Sequence, residues 1–219
     1  MSLLDDITAQ GAGVRTRLRA LLALHEYPIG TKTVMVIAYV DTALEHHEAT
    51  WLLAKSGLHG SAFAFVRLVW DAMLRALWIN KCACPKQIEQ AIGDELHWNM
   101  GQVRDDIKQA YFDYTREDDT ELAALVDEYF ERLKKVWNAS CSYTHSGALQ
   151  LARRFVFDEV KPNYSKGEIV EALNLATMAL LFSLPPLLLS MGYVSEAEEA
   201  LAVLGQYTAD LGGRLRGVQ

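Results

Sequence analysis

The sequence predicts an all-α protein that folds as a single domain. Apolar residues recur with helical spacing along nearly the whole chain, and no stretch shows the alternating β-branched pattern of a half-buried strand. Hydrophobic residues make up 51% of the 219 positions and only five residues are proline, which favours an ordered globule. We therefore expect an antiparallel helical bundle of about six to eight helices that spans residues 1–219 around an aromatic-rich core.

Turn residues set the predicted boundaries in the first half of the chain. Pro28 and Gly30 end the first helix, Gly57 ends the second, and Pro85 suits the first turn of the fourth. The helices predicted from these signals are about Leu3 to Glu26, Thr31 to Ser56, His59 to Cys82, and Pro85 to Tyr111 with a break near Gly93 or Gly101.

Capping residues set the boundaries in the second half. The polar stretch 113–119 predicts a surface loop whose Asp118 and Asp119 cap the next helix, and Ser165 with Glu168 matches a capping box. His145-Ser146-Gly147 predicts a helix break. The predicted helices are about Thr120 to Tyr143, Ala148 to Phe157, an apolar helix from about Lys166, and a last helix through Ala200 to Asp210 that is capped by Ser195, with a frayed tail at 212–216.

Charge and terminal composition bear on location and partners. The net charge of −7 argues against broad attraction to nucleic acid, although a local basic pocket is compatible with it. The first ten residues lack a basic segment leading into an apolar one, so we expect a cytoplasmic protein without a secretory signal. The apolar stretch Ile169 to Met191 is interpreted as a buried helix with a proline break at Pro185–Pro186, not as a membrane span.

Two patterns in the sequence contain residue types that could bind a metal ion, but neither has the ligand spacing that a metal site requires. Cys82, Cys84 and Cys141 form an odd set in a compartment expected to be reducing, so we predict free thiols. A zinc site is not expected, because zinc ligand pairs are usually separated by two or more residues. The run from Asp41 to Glu48 contains two histidines, but a di-iron bundle needs two Glu-x-x-His motifs and two further carboxylates. We therefore predict no metal and no cofactor, and a solvated or interface face for Glu45, His46 and Glu48.

Three charged residues stand four apart in one of the most apolar stretches of the chain. Arg67, Asp71 and Arg75 share one face of the third helix, which is otherwise aromatic and aliphatic. Burying such charges costs several kcal/mol each unless they are paired. The pattern therefore predicts either an Arg-Asp-Arg triad that is purely structural or a polar site that handles an anion.

A second polar group follows an apolar run at the end of the helix predicted from Thr120. Asn138, Cys141, Ser142 and His145 form one stripe if that helix continues to His145. A histidine can move protons near neutral pH, and an asparagine beside it can orient a hydroxyl or a phosphate oxygen. A histidine before glycine is also a good helix C-cap, so a structural reading of His145 stays open.

These two patterns carry a resemblance to known proteins. Arg67-x3-Asp71-x3-Arg75-x2-Trp78 with Cys82-x-Cys84, and then residues 142–147 (SYTHSG), resemble a bacterial family of uncharacterised all-α proteins over about Val66 to Arg154. That family is similar to HEPN proteins, which include metal-independent RNases of toxin–antitoxin and phage-defence systems and inactive RNA-binding or nucleotide-binding relatives.

The resemblance implies a homodimer with a cleft that binds RNA or a nucleotide. Endoribonuclease activity is a further hypothesis that the resemblance suggests. Asn138 and His145 match the polar residue and the histidine of the HEPN motif, but Trp137 stands where its arginine belongs. Arg67 or Arg75 from the third helix, or Arg153 and Arg154, would then replace it in space. The hypothesis requires the third helix to pack against the helix that carries His145.

The roles follow from this hypothesis. His145, Asn138 and Arg75 are the catalytic candidates, with His145 as the acid–base group and Asn138 orienting. The substrate-binding candidates are Arg67, Asp71, Ser142 and Tyr143. The alternative is a non-enzymatic helical module that binds a protein partner, such as an antitoxin, and in which the triad and His145 only join the helices.

Overall fold

The computed structural model describes residues 3–23, 30–112, 120–145, 147–156 and 159–216. Within these residues the chain forms nine helices and one hairpin of two-residue strands, so it is an all-α bundle as predicted. The elements are α1 (Leu3–Ala23), α2 (Thr31–Lys55), α3 (His59–Lys81), α4 (Pro85–Ile92), α5 (Met100–Phe112), α6 (Thr120–Thr144), α7 (Ala148–Ala152), β1 (Phe155–Val156), β2 (Glu159–Val160), α8 (Lys166–Ser190) and α9 (Val194–Arg216).

Helix α3 is the centre of the bundle. It packs against α2, α5, α6 and α8, and twelve of its 23 residues are buried. These buried positions lie on most sides of the helix because large apolar side chains such as Trp70, Met73 and Trp78 occur on several faces. Arg67, Asp71 and Arg75 therefore lie between packed neighbours.

Helix α8 supplies much of the remaining core. It is the one helix of the described residues whose length and mean hydropathy of 1.8 would suit a membrane span, but 67% of its apolar window is buried inside the protein. The predicted proline break is wrong, because the helix continues through Pro185 and Pro186 to Ser190. Leu187 and Leu188 just beyond them are fully buried, and this packing holds the last turn although the prolines lack N–H donors.

Most predicted boundaries agree with the structure to within a few residues. Gly57 has a φ of 77° and ends α2, Pro85 starts α4, and the Ser165–Glu168 capping box starts α8. The predicted helix from Pro85 to Tyr111 breaks after Ile92, which gives the ninth helix. The loop at 113–119 with its caps Asp118 and Asp119 lies outside the described residues.

Three boundary predictions are wrong. The helix predicted over Ala148 to Phe157 ends at Ala152, because the chain turns there into the β1–β2 hairpin. Helix α9 already begins at Val194, so Ser195 lies inside its first turn and its hydroxyl bonds Glu196 over 2.9 Å instead of capping the helix. The tail continues α9 to Arg216.

Helices α1 and α2 meet at a tight contact around Trp51. Any Cβ atom at Gly11 of α1 would overlap the Trp51 indole, so glycine alone permits this approach. The Trp51 Nε1 donates to His47 Nε2 over 3.0 Å, and Thr177 Oγ1 of α8 lies 2.9 Å from the same nitrogen. Because an indole can only donate, His47 is a neutral core residue that joins α2 to α8.

Candidate functional site

The candidate site lies where α3 packs against α6. The two helices run antiparallel. Arg67 of α3 contacts His145, which directly follows α6. Asp71, one turn further along α3, contacts Trp137, which lies two turns before His145. Arg67 Nη1 is 3.2 Å from His145 Nε2, although 78 residues separate them in the sequence. The packing that the sequence-based hypothesis requires is therefore present.

Asp71 fixes the position of Arg67. One carboxylate oxygen, Oδ2, accepts from Arg67 Nε over 3.2 Å, and the other, Oδ1, accepts from Trp137 Nε1 over 2.8 Å. The side chains of Arg67 and Asp71 are only 13% and 15% exposed. A charged pair at this depth gains more from its hydrogen bonds than an exposed pair would.

The guanidinium of Arg67 contacts three groups at once. Its Cζ lies 4.5 Å from the centre of the Trp137 ring, in a cation–π contact, while Nε and Nη1 reach Asp71 and His145. Arginine can only donate, so His145 Nε2 is the acceptor in this contact. His145 itself is exposed, so solvent and ligands reach this imidazole.

Cys141 lies between Trp137 and His145 on the same stripe of α6. Burial raises the pKa of its thiol, and the positive charge of Arg67 opposes that rise without cancelling it. The thiol therefore stays protonated near neutral pH. Because the thiolate is the nucleophilic form of cysteine, Cys141 is poorly suited to covalent catalysis.

The predicted triad is not a triad. Asp71 pairs with Arg67 and Trp137, and no ion pair with Arg75 is found among the described residues. The Arg75 guanidinium instead lies over the ring of Trp98, with its Cζ 4.9 Å from the ring centre. Arg75 is two helical turns from Arg67, so it does not stand beside His145 as a catalytic partner would.

The other predicted site residues make no hydrogen bond to the Arg67–His145 pair in the described part of the chain. Asn138 is exposed on α6, and it has no hydrogen bond within the described residues. Ser142 Oγ accepts from the backbone N–H of Leu149 over 2.9 Å, so it shapes the turn into α7. Tyr143 lies against Phe63 with ring centres 4.8 Å apart, and it lines a groove toward α8. These contacts of Ser142 and Tyr143 are therefore with residues other than Arg67 and His145.

Two tryptophans of the site were not selected from the sequence. In the sequence, Trp137 only marks the position where the HEPN motif has an arginine, and no pattern points to Trp98. Trp137, Cys141 and His145 are spaced by four, so the same stripe rule that selected Asn138 also leads to Trp137. Trp98 lies in the segment between α4 and α5, where helical spacing gives no signal.

Metal ligation finds no support in the described part of the chain. No three His, Cys, Asp or Glu side chains described there gather closely enough to hold an ion. Cys82, Cys84 and Cys141 form no disulfide bond with one another. Of the histidine-rich run in α2, His47 is buried in the core while Glu48 pairs with Arg15 and Arg19 of α1.

Comparison with known proteins identifies a family. The model of a protein family described as a family of unknown function, DUF6988, matches residues 40–200, which include α3, α6 and every residue of the candidate site. No curated protein and no solved structure matches the chain. The chemistry of the site must therefore be argued from its own geometry.

Proposed function

The chain belongs to the DUF6988 family, and we propose that it binds RNA or a nucleotide at the Arg67–His145 pair and cleaves RNA there without a metal ion. The observation that carries this proposal is the 3.2 Å separation of Arg67 Nη1 and His145 Nε2 at an exposed position. A cation and a proton acceptor at this separation can contact neighbouring oxygens of one phosphodiester group.

The proposed reaction uses the two side chains in different roles. When the Arg67 guanidinium moves from His145 Nε2 to a phosphate oxygen, the freed nitrogen takes the proton of a ribose 2′-hydroxyl, and the 2′-oxygen attacks the adjacent phosphorus. Arg67 stabilises the negative charge that develops on the phosphorane oxygens. The bond from phosphorus to the 5′-oxygen then breaks, and the leaving oxygen takes a proton from the imidazolium. The products are a 2′,3′-cyclic phosphate and a 5′-hydroxyl.

Arg67 would also replace the arginine of the HEPN motif that is absent from position 137. Trp137 occupies the position of the motif's arginine, and it holds the Asp71 carboxylate that in turn orients Arg67. A guanidinium supplied from α3 thus serves the function that the motif assigns to α6. A homodimer and a role in toxin–antitoxin or phage-defence systems complete the proposal, and both rest on the resemblance alone.

The test is RNA cleavage by the purified protein in EDTA, with total RNA and tRNA as substrates. We expect cyclic-phosphate ends from the wild type, and none from His145→Ala or Arg67→Gln. His97→Ala is the matched control, because His97 is also exposed but belongs to the segment between α4 and α5. Cleavage that survives in His145→Ala would refute the proposed catalysis. Loss of cleavage in His145→Ala supports the proposal only when the two histidine variants melt at the same temperature.

A second candidate function is supported by the contacts of Asp71. Both of its oxygens are occupied by residues of α3 and α6, as in a purely structural network. In that case the protein is a non-enzymatic module that binds a protein partner such as an antitoxin, and the net charge of −7 suits this role better than broad RNA binding. His145→Ala then lowers the melting temperature, and no RNA is cleaved by any variant.

A further inference from the structure

The guanidinium of Arg75 has no acceptor among the residues that the structure describes. Its Nε is buried without a hydrogen-bond partner, and Asp71 one turn earlier is engaged elsewhere. A buried N–H donor that has no acceptor is costly in free energy. An anion from outside the chain would remove that cost, so Arg75 has the property expected of an anion-binding residue.

The surroundings of Arg75 hold its guanidinium in place. Trp98 lies against it, and Tyr39 and Trp78 pack edge-on against Trp98 with ring centres 6.2 and 5.6 Å away. Trp78 is itself fixed, since its Nε1 donates to Asp106 Oδ2 over 2.8 Å. A planar donor group that is already oriented loses little conformational entropy when it binds an oxyanion.

Arg75 and Arg67 are too far apart to bind one phosphate group. Eight residues separate them along α3, which corresponds to about 12 Å along the helix axis. Each guanidinium nitrogen must lie about 3 Å from the oxygen that it binds. Two separate phosphate groups are therefore needed to engage both arginines, and the ligand must link them along one face of α3.

We infer that Arg75 is a second phosphate subsite and that the ligand is a single-stranded oligonucleotide, not a mononucleotide. This inference rests on the proposed function, in which Arg67 and His145 bind the first phosphate. The strand runs from His145 at the end of α6 toward Trp98 in the segment between α4 and α5, with one phosphodiester at His145 and a phosphate further along the strand near Trp98. Asp71 between the two subsites repels the strand little, because Arg67 offsets its charge.

The test compares two ligands by fluorescence anisotropy. The probe is a fluorescein-labelled 2′-fluoro hexauridylate, which lacks the attacking hydroxyl, and uridine 3′-monophosphate is the competitor. We expect Arg75→Gln to weaken hexanucleotide binding about tenfold and to change mononucleotide binding less than twofold. Arg67→Gln should weaken both. Arg17→Gln, an exposed arginine of α1 that bonds Gln206, removes the same charge elsewhere and should change neither.

The salt dependence of binding provides a readout that a structural role would not change. Each neutralised phosphate of a single strand adds about −0.7 to the slope of log K against log salt. We expect a slope near −1.4 for the wild type, and the Arg75→Gln slope should be about half as steep. Arg75→Lys keeps the charge and should keep the steeper slope.

The outcomes separate this inference from the proposed function. If Arg75→Gln binds the hexanucleotide as tightly and with the same slope as the wild type, while Arg67→Gln does not, the second subsite is refuted and the proposed function stands. If the wild type binds neither ligand, both fail. If Arg75→Gln does not fold, the wild-type slope decides: a value near −0.7 refutes the second subsite.

Discussion

Trp137 Nε1 donates a hydrogen bond to Asp71 Oδ1 over 2.8 Å, and this bond ties α6 to α3 at the level of the candidate site. The same carboxylate holds Arg67, whose Nη1 reaches His145. Trp137 therefore influences His145 through two intervening side chains. It is a positioning residue, because the ring contacts Arg67 but not the exposed imidazole.

Substitutions at Asp71 should destabilise the protein in a defined order. Asp71→Ala leaves Arg67 and the Trp137 indole without their partner in a site that is mostly buried, at a cost of about 3 kcal/mol. Asp71→Asn keeps an oxygen for Trp137 and should cost less, and Trp137→Phe should cost about 1 kcal/mol because one hydrogen bond is lost. Urea unfolding measures all three, and Asp71→Ala with wild-type stability would contradict a linking role for this carboxylate.

Two glycines of α1 should respond to alanine in opposite directions. Gly11→Ala places a methyl group inside the Trp51 indole, so α1 must shift away from α2 and the free energy of unfolding falls by about 1–3 kcal/mol. Gly13→Ala meets no neighbouring atom and should gain about 1 kcal/mol, because alanine is the better helix former. Thermal unfolding of the two variants provides the comparison. Equal melting temperatures would mean that Gly11 is not in close contact with Trp51.

His47 should make the protein sensitive to acid. Burial lowers its pKa to about 3, whereas in the unfolded chain the ring takes up a proton at about pH 6.5. The stabilisation from the neutral ring is complete above pH 6.5, and it falls by about 1.4 kcal/mol for each pH unit between 6.5 and 3.

The variant His47→Gln isolates this effect. Glutamine does not titrate, so unfolding free energies measured from pH 7 to pH 4 should decline less steeply than those of the wild type. His97→Gln removes an exposed histidine and should keep the wild-type slope. The assignment of the acid sensitivity to His47 fails if both variants keep that slope.

The thiols should react with Ellman's reagent at different rates. Burial raises the pKa of Cys82 to about 11, with the Asp106 charge adding to the rise, so its reactive thiolate is scarce at pH 8. Cys84 is exposed two residues later and should give the fastest phase. That phase should disappear in Cys84→Ser and persist in Cys82→Ser, whereas its persistence in Cys84→Ser would contradict this order.

Local sequence signals predicted the helices well where capping and turn residues mark the ends. Gly57, Pro85 and the Ser165–Glu168 box act within one or two turns, so the sequence contains all that decides these boundaries. Pro185 and Pro186 were misinterpreted because buried packing of the following leucines outweighs the missing N–H donors. The β1–β2 hairpin was missed because two residues per strand are too few for a periodic pattern.

The site could be predicted only in part, for a related reason. Spacing of four correctly placed Arg67 and Asp71 in contact, because that relation lies within one helix. The same rule placed Arg75 on Asp71, but its guanidinium lies over Trp98, which belongs to a distant segment of the chain. The contact between Arg67 and His145 depends on how two helices pack, and it entered the sequence analysis only as a condition of the hypothesis.

The central position of α3 changes how natural or experimental variation in this family is to be interpreted. Arg67 and Asp71 lie in a helix that touches four others, so selection for folding alone is enough to keep them constant. His145 is exposed beyond the end of α6, where folding imposes few constraints. A histidine retained at position 145 across family members would therefore be a stronger sign of selected activity than constancy at position 67 or 71.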